Sequence, residues 1–568
     1  MLQKNWVLKE FDKSRVVEMS KEFHISPLVS IILFNRGIRS SEEIADFLKC
    51  DLESLHDPYL LKDMDKAVSR IRSARENSEK ITIYGDYDVD GITSIAILYK
   101  HLKSMGFEVD YYVPDRMQEG YGVNRDALDK IKENGTKVLI TVDTGITAVD
   151  ETEYAREIGM DIIVTDHHEC KESIPNAYAA IDPKRKDCSY PFKNLAGVGV
   201  AFKLIQALDE GTSVKELMNR YADLICLGTV ADISPLIDEN RIMVTEGLRR
   251  FRTTENIGLK ALIDVSINNS KAITTSTIGY IIAPRINASG RLGCASRSVE
   301  MFLTDDENRA YELANSLCEE NTIRQQTEQQ MFAEALEYID QNPEIKDDRV
   351  LIIPHKNWHH GIVGIVSSKI TEKFYKPSIL FAIDGDEAKG SGRSISGYNL
   401  FEALENCSGL LEKFGGHELA AGLSIKTENI ESFRREINKC AEQKLGESKP
   451  IPTVSIDAVI KPAYITLETV EDINRLQPFG VENPTPVFAV RNIKVHKIST
   501  MSEKKHLRMT LLKDGKFLDA VGFGMGEYFN FIKEGDFVEV AFGLDINDYK
   551  GYKNVQLILK DVRLMEVE

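Results

Sequence analysis

Paired cysteines are missing from this sequence. Its eight cysteines (Cys50, Cys170, Cys188, Cys226, Cys294, Cys318, Cys407 and Cys440) stand singly, with no Cys-x-x-Cys among them. That argues against a disulfide framework or a zinc ribbon and fits reduced thiols in a cytoplasm. Long apolar runs are missing too: stretches such as Ile31 to Phe34 fall far short of a membrane span. The first ten residues hold no apolar segment of the signal-peptide kind, so a cytoplasmic protein without a membrane partner is expected. No low-complexity tract is present. A basic excess is absent as well. The chain has 71 Lys and Arg against 89 Asp and Glu, a net charge of −18, which alone counts against a nucleic-acid partner. The charge is uneven, however. Residues 491–568 carry 13 Lys and Arg against 12 Asp and Glu, so the acidity lies earlier in the chain. A site that binds metal ions must itself be acidic.

What is present suits several packed cores. The chain has 568 residues, enough for about three or four domains. Residues 1–60 read as short helices, with Ser40-Ser41-Glu42-Glu43 as a helix start. In residues 61–240 β-rich runs alternate with helical stretches: Ile81 to Tyr84, Glu108 to Val113, Val138 to Val142, Asp161 to Thr165 and Tyr178 to Ile181. Alternation of this kind predicts an open parallel α/β sheet. Residues 241–342 read as helical. They end in one long connecting helix that starts at a capping box, Thr304 to Glu307, and stops near Gln341. A second α/β pattern fills 343–446. Glu447 to Pro452 reads as a linker, and 450–568 hold about five strands, which suits a small barrel of the OB type.

The informative residues stand at strand ends. The first run leads into Asp86-Tyr87-Asp88-Val89-Asp90, the third into Asp143-Thr144-Gly145, and the fourth into Asp166-His167-His168; Asp232 follows an apolar helix. In an open α/β sheet, ligands bind at the carboxyl ends of the strands. Carboxylates gathered there repel one another, and divalent cations relieve that repulsion. Oxygen ligands with one or two imidazoles suit Mn²⁺, and also Mg²⁺ or Zn²⁺. The alternation of Asp88 and Asp90 suits two ions, with a carboxylate such as Asp143 between them. A single strand-end Asp is as well read as a helix N-cap. Several in one sheet exceed what capping requires.

These segments, together with Pro284 to Arg291, Trp358 to Val366 and Gly415 to Gly422, resemble the DHH phosphoesterase superfamily and, within it, the RecJ branch. The resemblance covers essentially the whole chain. It implies a DHH catalytic domain, a long connecting helix, an α/β DHH-associated domain and a C-terminal OB-fold-like β-barrel. The implied activity is bacterial: metal-dependent 5′→3′ exonucleolytic degradation of single-stranded DNA to 5′-mononucleotides, in recombination and repair. It implies two divalent cations, Mn²⁺ or Mg²⁺, on Asp88, Asp90, Asp143, His167 and Asp232, with Asp143 bridging and His168 facing the scissile phosphate. Tyr84 stands where pyrophosphatase-like relatives carry a histidine. Asp86 is the nearby substitute, as a ligand or as a residue that orients one. Arg116, Arg291, Ser391 and Arg393 would line a 5′-phosphate pocket. Arg285 is the alternative to Arg291, and His417 would contact substrate. Each Arg could equally pair with a carboxylate, and His417 could be a turn residue. Lys494, Lys497, Lys504, Lys505, Arg508, Tyr549, Tyr552 and Lys553 could track and stack a single strand, or form a solvated surface. Single-strand-binding protein and a RecQ-type helicase are the implied protein partners, and a monomer is the default. Two competitors stand beside this reading: a DHH phosphodiesterase of short oligonucleotides or cyclic dinucleotides, and an inactive DNA-binding scaffold. The strand-rich tail argues against the first, and the filled ligand positions argue against the second.

Overall fold

The computed structural model describes residues 4–116, 119–120, 122–267, 272–446, 450–549 and 551–565. Tyr121, the expected linker residues Glu447, Ser448 and Lys449, and the side chain of Tyr549 lie outside the described residues. The chain forms two compact units, one of Met1–Val7 with Asn321–Val454 and one of Leu8–Glu320 with Ser455–Glu568.

The larger unit opens on three helices, α1 (Lys13–Glu22), α2 (Pro27–Asn35) and α3 (Ser41–Lys49). Helix α3 starts on the capping box read from the sequence: Ser40 and Glu43 each take the other's backbone N–H. A five-stranded sheet follows, made of β1 (Ile81–Gly85), β2 (Val109–Tyr112), β3 (Val138–Val142), β4 (Asp161–Thr165) and β5 (Ala179–Ile181). The strands are all parallel, in the order β2-β1-β3-β4-β5. Residues of β1 and β3 are buried throughout, because one apolar core lies on each face of the sheet. Their β-branched runs suit strands covered on both sides. Strand order reverses between β1 and β3, and in such sheets the crevice for a ligand opens there. Four helices close over this edge or pack behind it: α4 (Val89–Ser104), α5 (Gly197–Leu208), α6 (Val214–Ala231) and α7 (Asp238–Arg250).

A buried ionic knot joins α5 to α7. Lys203 and Glu239 are fully buried and lie 2.5 Å apart; Tyr190 donates its hydroxyl to Glu239 at 2.5 Å, and Lys203 also donates to the His56 carbonyl at 2.7 Å. Helix α8 (Ala283–Leu292) follows a single π-helical turn at Ile278–Ile282. The long helix α9 spans Glu307–Gln341 and carries the chain into the second unit. Its cap is Asp306 and not Thr304. Asp306 Oδ1 accepts the N–H groups of Asn308 and Arg309, while Thr304 accepts the N–H of Asp306 itself. Asp306 sits one residue before the helix, where its side-chain oxygen reaches those donors.

The second unit holds a mixed sheet of β6 (Leu351–Lys356), β7 (Ser378–Asp384), β8 (Glu387–Arg393), β9 (Leu411–Gly416) and β10 (Ala420–Lys426), with helix α10 (Val363–Phe374) packed on it. The order is β9-β10-β8-β7-β6, and only the pair β6–β7 is parallel.

Back in the larger unit, β11 (Phe488–Met501), β12 (His506–Lys513), β13 (Lys516–Gly522), β14 (Phe537–Tyr549) and β15 (Tyr552–Leu564) close into a five-stranded barrel through the β11–β14 pairing. The barrel shares one core with the first helices of the chain. Val16, Met19, Val29, Ile32, Leu33 and Ile44 lie in the same buried cluster as Phe488, Val490, Phe542 and Leu557. Among the described residues, no helix is long and apolar enough to cross a membrane. All eight cysteines are unpaired thiols.

Candidate metal centre

The strand order brings the acidic turns together. Strand β1 ends in the Asp86–Asp90 turn, its neighbour β3 ends at Asp143, and β4 ends at Asp166-His167-His168. Asp232 caps the C-terminus of α6. Three overlapping sets of ligand atoms result, and within each set the atoms lie within 4.8 Å of one another: Asp86, Asp88 and Asp143; Asp143, His167 and His168; Asp90, His167 and Asp232.

Backbone donors place several of these side chains. Asp88 does cap α4: its Oδ1 accepts the N–H groups of Asp90 and Gly91 at 3.0 and 3.1 Å. One carboxylate oxygen is thereby used for capping, and Oδ2 remains to meet a cation. Asp90 lies against the first turn of α5. Its Oδ2 accepts the Gly197 N–H at 2.7 Å and its Oδ1 the Val198 N–H at 2.8 Å. Asp232 Oδ2 accepts the Ser234 hydroxyl at 2.6 Å. Asp166 is not aimed at the cluster. Its Oδ1 receives the His167 and His168 N–H groups and His168 Nδ1, and its Oδ2 receives the Ile146 N–H. It therefore fixes the tautomer and orientation of the His168 ring.

Burial without compensation dominates the electrostatics. Burial, then the Asp88 charge, pushes Asp86 up to about 8. Asp90 is driven well above the usual carboxylate range by burial, then by Asp232 and Asp88, against the pull of its two backbone donors. Asp143 is driven up likewise by burial, and the largest charges acting on it are all carboxylates: Asp90, Asp88, Asp86 and Asp232. Burial also raises Asp232 and lowers His167. Burial pulls His168 down, but its bond to Asp166 and the surrounding carboxylates hold it at about 9.

Two buried polar atoms face each other unsatisfied. Asp143 Oδ1 and His167 Nε2 are 3.0 Å apart, yet neither makes a hydrogen bond, because the pair is not aligned for one. Orphaned buried donors and acceptors are rare. A hard oxygen and nitrogen set with this excess negative charge fits divalent cations.

Two features of this centre have no local sequence signal. One is the pair of α5 N–H groups on Asp90. The other is the need for glycine at 197, where a Cβ would lie 2.7 Å from Asp143 Cβ and Oδ1. Gly197→Ala is expected to lower Mn²⁺ affinity by about 10–100-fold. Isothermal titration calorimetry reads this, and unchanged affinity would remove Gly197 from the site. Asp182 could have been found, since it follows a strand as the others do. Asp182 is fully buried, with Oδ1 on the Lys184 N–H at 2.7 Å and Oδ2 unpartnered; burial, then Asp166, pushes it up to about 7.

The expected anion-binding residues fall into separate groups. Arg116 stacks its guanidinium over Tyr87, 5.0 Å from the ring centroid. Arg291 lies in the last turn of α8, and the preceding Gly290 approaches the Tyr87 carbonyl so closely that a Cβ would sit 2.8 Å from it. Arg285 donates to the Ile281 carbonyl of the π-helical turn, and its Nε has no partner. In the second unit, Arg393 donates to Ser391 Oγ at 3.3 Å. Both crowd the start of α10, where a Cβ on Gly364 would meet Ser391 Oγ at 2.8 Å and Arg393 Nη2 at 3.2 Å. His417 is exposed just before β10, its N–H on the Ala420 carbonyl at 2.8 Å. On the barrel Lys494, Lys497, Lys504, Lys505, Arg508, Tyr552 and Lys553 are exposed. So are Phe517 and Phe523, which sequence reading passed over; each makes an edge contact with a histidine, His496 and His506.

The chain matches known proteins over nearly its whole length. Residues 80–229 match the DHH family, N-terminal domain; 347–443 match the DHHA1 domain; 456–561 match the RecJ OB domain. The chain is 40% identical over 564 residues to the single-stranded-DNA-specific exonuclease RecJ of Bacillus subtilis, covering 99% of this chain and 71% of that protein. It is 34% identical to the protein of that name from Escherichia coli, covering 95% of this chain and 96% of the relative. The crystal structure of RecJ in complex with Mn²⁺ from Thermus thermophilus matches with a TM-score of 0.84 at 28% identity, over 99% of this chain and 80% of that one. The Mg²⁺ complex from the same source matches with a TM-score of 0.78 at 26% identity, over 99% of this chain and 79% of that one.

Proposed function

The chain belongs to the RecJ family of the DHH superfamily, and we propose from that membership that it is a single-stranded-DNA-specific exonuclease working from the 5′ end and releasing 5′-mononucleotides. The observation that carries the proposal is the unneutralised cluster at the switch point, with Asp143 Oδ1 and His167 Nε2 left without hydrogen-bond partners. Asp88 and Asp143, with Asp86 beside them, would hold one divalent cation, and Asp90, His167 and Asp232 the other, Asp143 lying between the two. When bound, Mn²⁺ or Mg²⁺ at these positions supplies Lewis-acid polarisation of a phosphodiester and charge neutralisation for an in-line displacement.

The chain's own residues do the rest. Asp166 holds His168 Nδ1 at 2.7 Å, which keeps Nε2 as the ring's donor to a scissile phosphate oxygen. The α5 N–H groups keep both oxygens of Asp90 oriented. Ser391 and Arg393, beside the N-terminal turn of α10, provide a planar donor, a hydroxyl and helix-end N–H groups, the set a terminal phosphate requires.

A nuclease assay with Mn²⁺ on 5′-phosphorylated single-stranded DNA, the same strand in blunt duplex, and a dinucleotide tests the reading. Stepwise release of mononucleotides from the single strand, with the duplex spared, is expected. Fast dinucleotide cleavage beside an untouched long strand would overturn it. Arg393→Ala is expected to raise KM for the 5′-phosphorylated strand by about 10–100-fold, the worth of a charged hydrogen bond, and to leave a 5′-hydroxyl strand little changed. Equal losses on both strands would place Arg393 elsewhere.

A further inference from the structure

Immediately after Asp232 the chain breaks a local rule. Ser234 donates its N–H to the Thr229 carbonyl at 3.3 Å and Ile233 donates to Val230 at 3.3 Å, the pattern that ends a helix through one left-handed residue. That residue is Ile233, with φ of 63°. Gly or Asn is favoured there, because a left-handed backbone presses Cβ against the following carbonyl and β-branching worsens the clash. Asp143 is also left-handed, at φ 59°, but a short polar side chain tolerates that conformation.

Burial does not explain Ile233 either. It is 69% exposed, while Ser234 is buried with its hydroxyl on Asp232. An alkyl group is thus held in a strained backbone and turned to solvent, one residue from Asp232. Strain of this sort persists where the side chain has a task.

We propose that Ile233 is a substrate contact: its side chain is the apolar surface on which the nucleoside beside the scissile phosphate rests. The cluster holds phosphate by charge. The neighbouring nucleoside offers a base face and deoxyribose carbons, for which an alkyl group is the complementary partner. This inference rests on the exonuclease reading above.

The test compares Ile233→Gly, Ile233→Asn and Ile233→Val in the full chain, by steady-state degradation of single-stranded DNA in Mn²⁺ and by thermal melting. Gly and Asn suit the left-handed position but remove the alkyl surface. Both are expected to raise KM for the strand about tenfold with kcat nearly unchanged. Their melting temperatures should hold, since relieved strain offsets the added freedom of the unfolded chain. Val should keep the wild-type KM. A Gly variant with wild-type KM overturns the inference, and so does a Val variant as impaired as Gly. Wild-type protein that leaves the strand intact would sink the functional reading itself, and that result is seen before any variant is compared.

Discussion

Asp143→Asn is expected to lower the rate of single-strand degradation by about 10³-fold or more and to raise the melting temperature of the metal-free protein. Asn keeps the shape of the side chain and tolerates the left-handed backbone at this position. It removes one ionisable group from a cluster of five carboxylates, of which Asp86, Asp90 and Asp143 are buried. Burial and the neighbouring carboxylates hold Asp143 far above its ordinary range, so without cations folding opposes the ionisation of this group, a cost that Asn removes. The same carboxylate belongs to the sets containing Asp86 and Asp88 on one side and His167 on the other. Its loss therefore weakens the hold on both proposed cations. Metal-ion catalysis contributes several kcal/mol of transition-state stabilisation, and at about 1.4 kcal/mol per decade that amounts to about 10³-fold. Melting curves in chelator and in Mn²⁺ complete the test. The wild type should gain stability on adding Mn²⁺; the variant should start higher and gain less. A variant that degrades DNA normally, or melts lower in chelator, would contradict the assignment of Asp143.

Lys203→Met should destabilise the larger unit by about 3–5 kcal/mol, the cost of stranding one member of a buried ion pair. Glu239 would keep only the Tyr190 hydroxyl and the His56 N–H as donors. Burial lowers Lys203 and the Glu239 charge opposes that, so the pair stands or falls together. Adding Glu239→Gln should recover much of the loss, because a neutral amide still accepts from Tyr190. Denaturant midpoints of the two variants measure this. Equal midpoints for Lys203→Met and the wild type would show that water reaches the knot. The effect bears on function, since Lys203 lies on the helix whose first N–H groups hold Asp90.

Much of the centre was legible because its signals are local. An apolar β-branched run followed by Asp marks β1, β3 and β4, and the capping box at Ser40 marks α3. Asp88 showed why the cap and ligand readings do not compete, since a carboxylate has two oxygens. The order β2-β1-β3-β4-β5 was not legible. It is a property of long-range pairing that no segment encodes alone. The same holds for the Gly197 and Val198 N–H groups on Asp90, 107 and 108 residues away. At Thr304 a four-residue pattern suggested one cap, and the competing Asp306 took the position. Ile233 shows the reverse case: only the φ angle reveals that the residue is out of place.

Helices α1 to α3 share their core with a barrel whose strands begin at Phe488. More than 400 residues are synthesised between them. At about 5–20 residues per second the interval lasts about 20–80 s. During that time the apolar face of α2, with Val29, Ile32 and Leu33, has no partner to cover it. The ribosome-bound chain therefore exposes a sticky segment for longer than helix formation takes by many orders of magnitude. It is in this interval that a holding chaperone, or a neighbouring nascent chain, would find it.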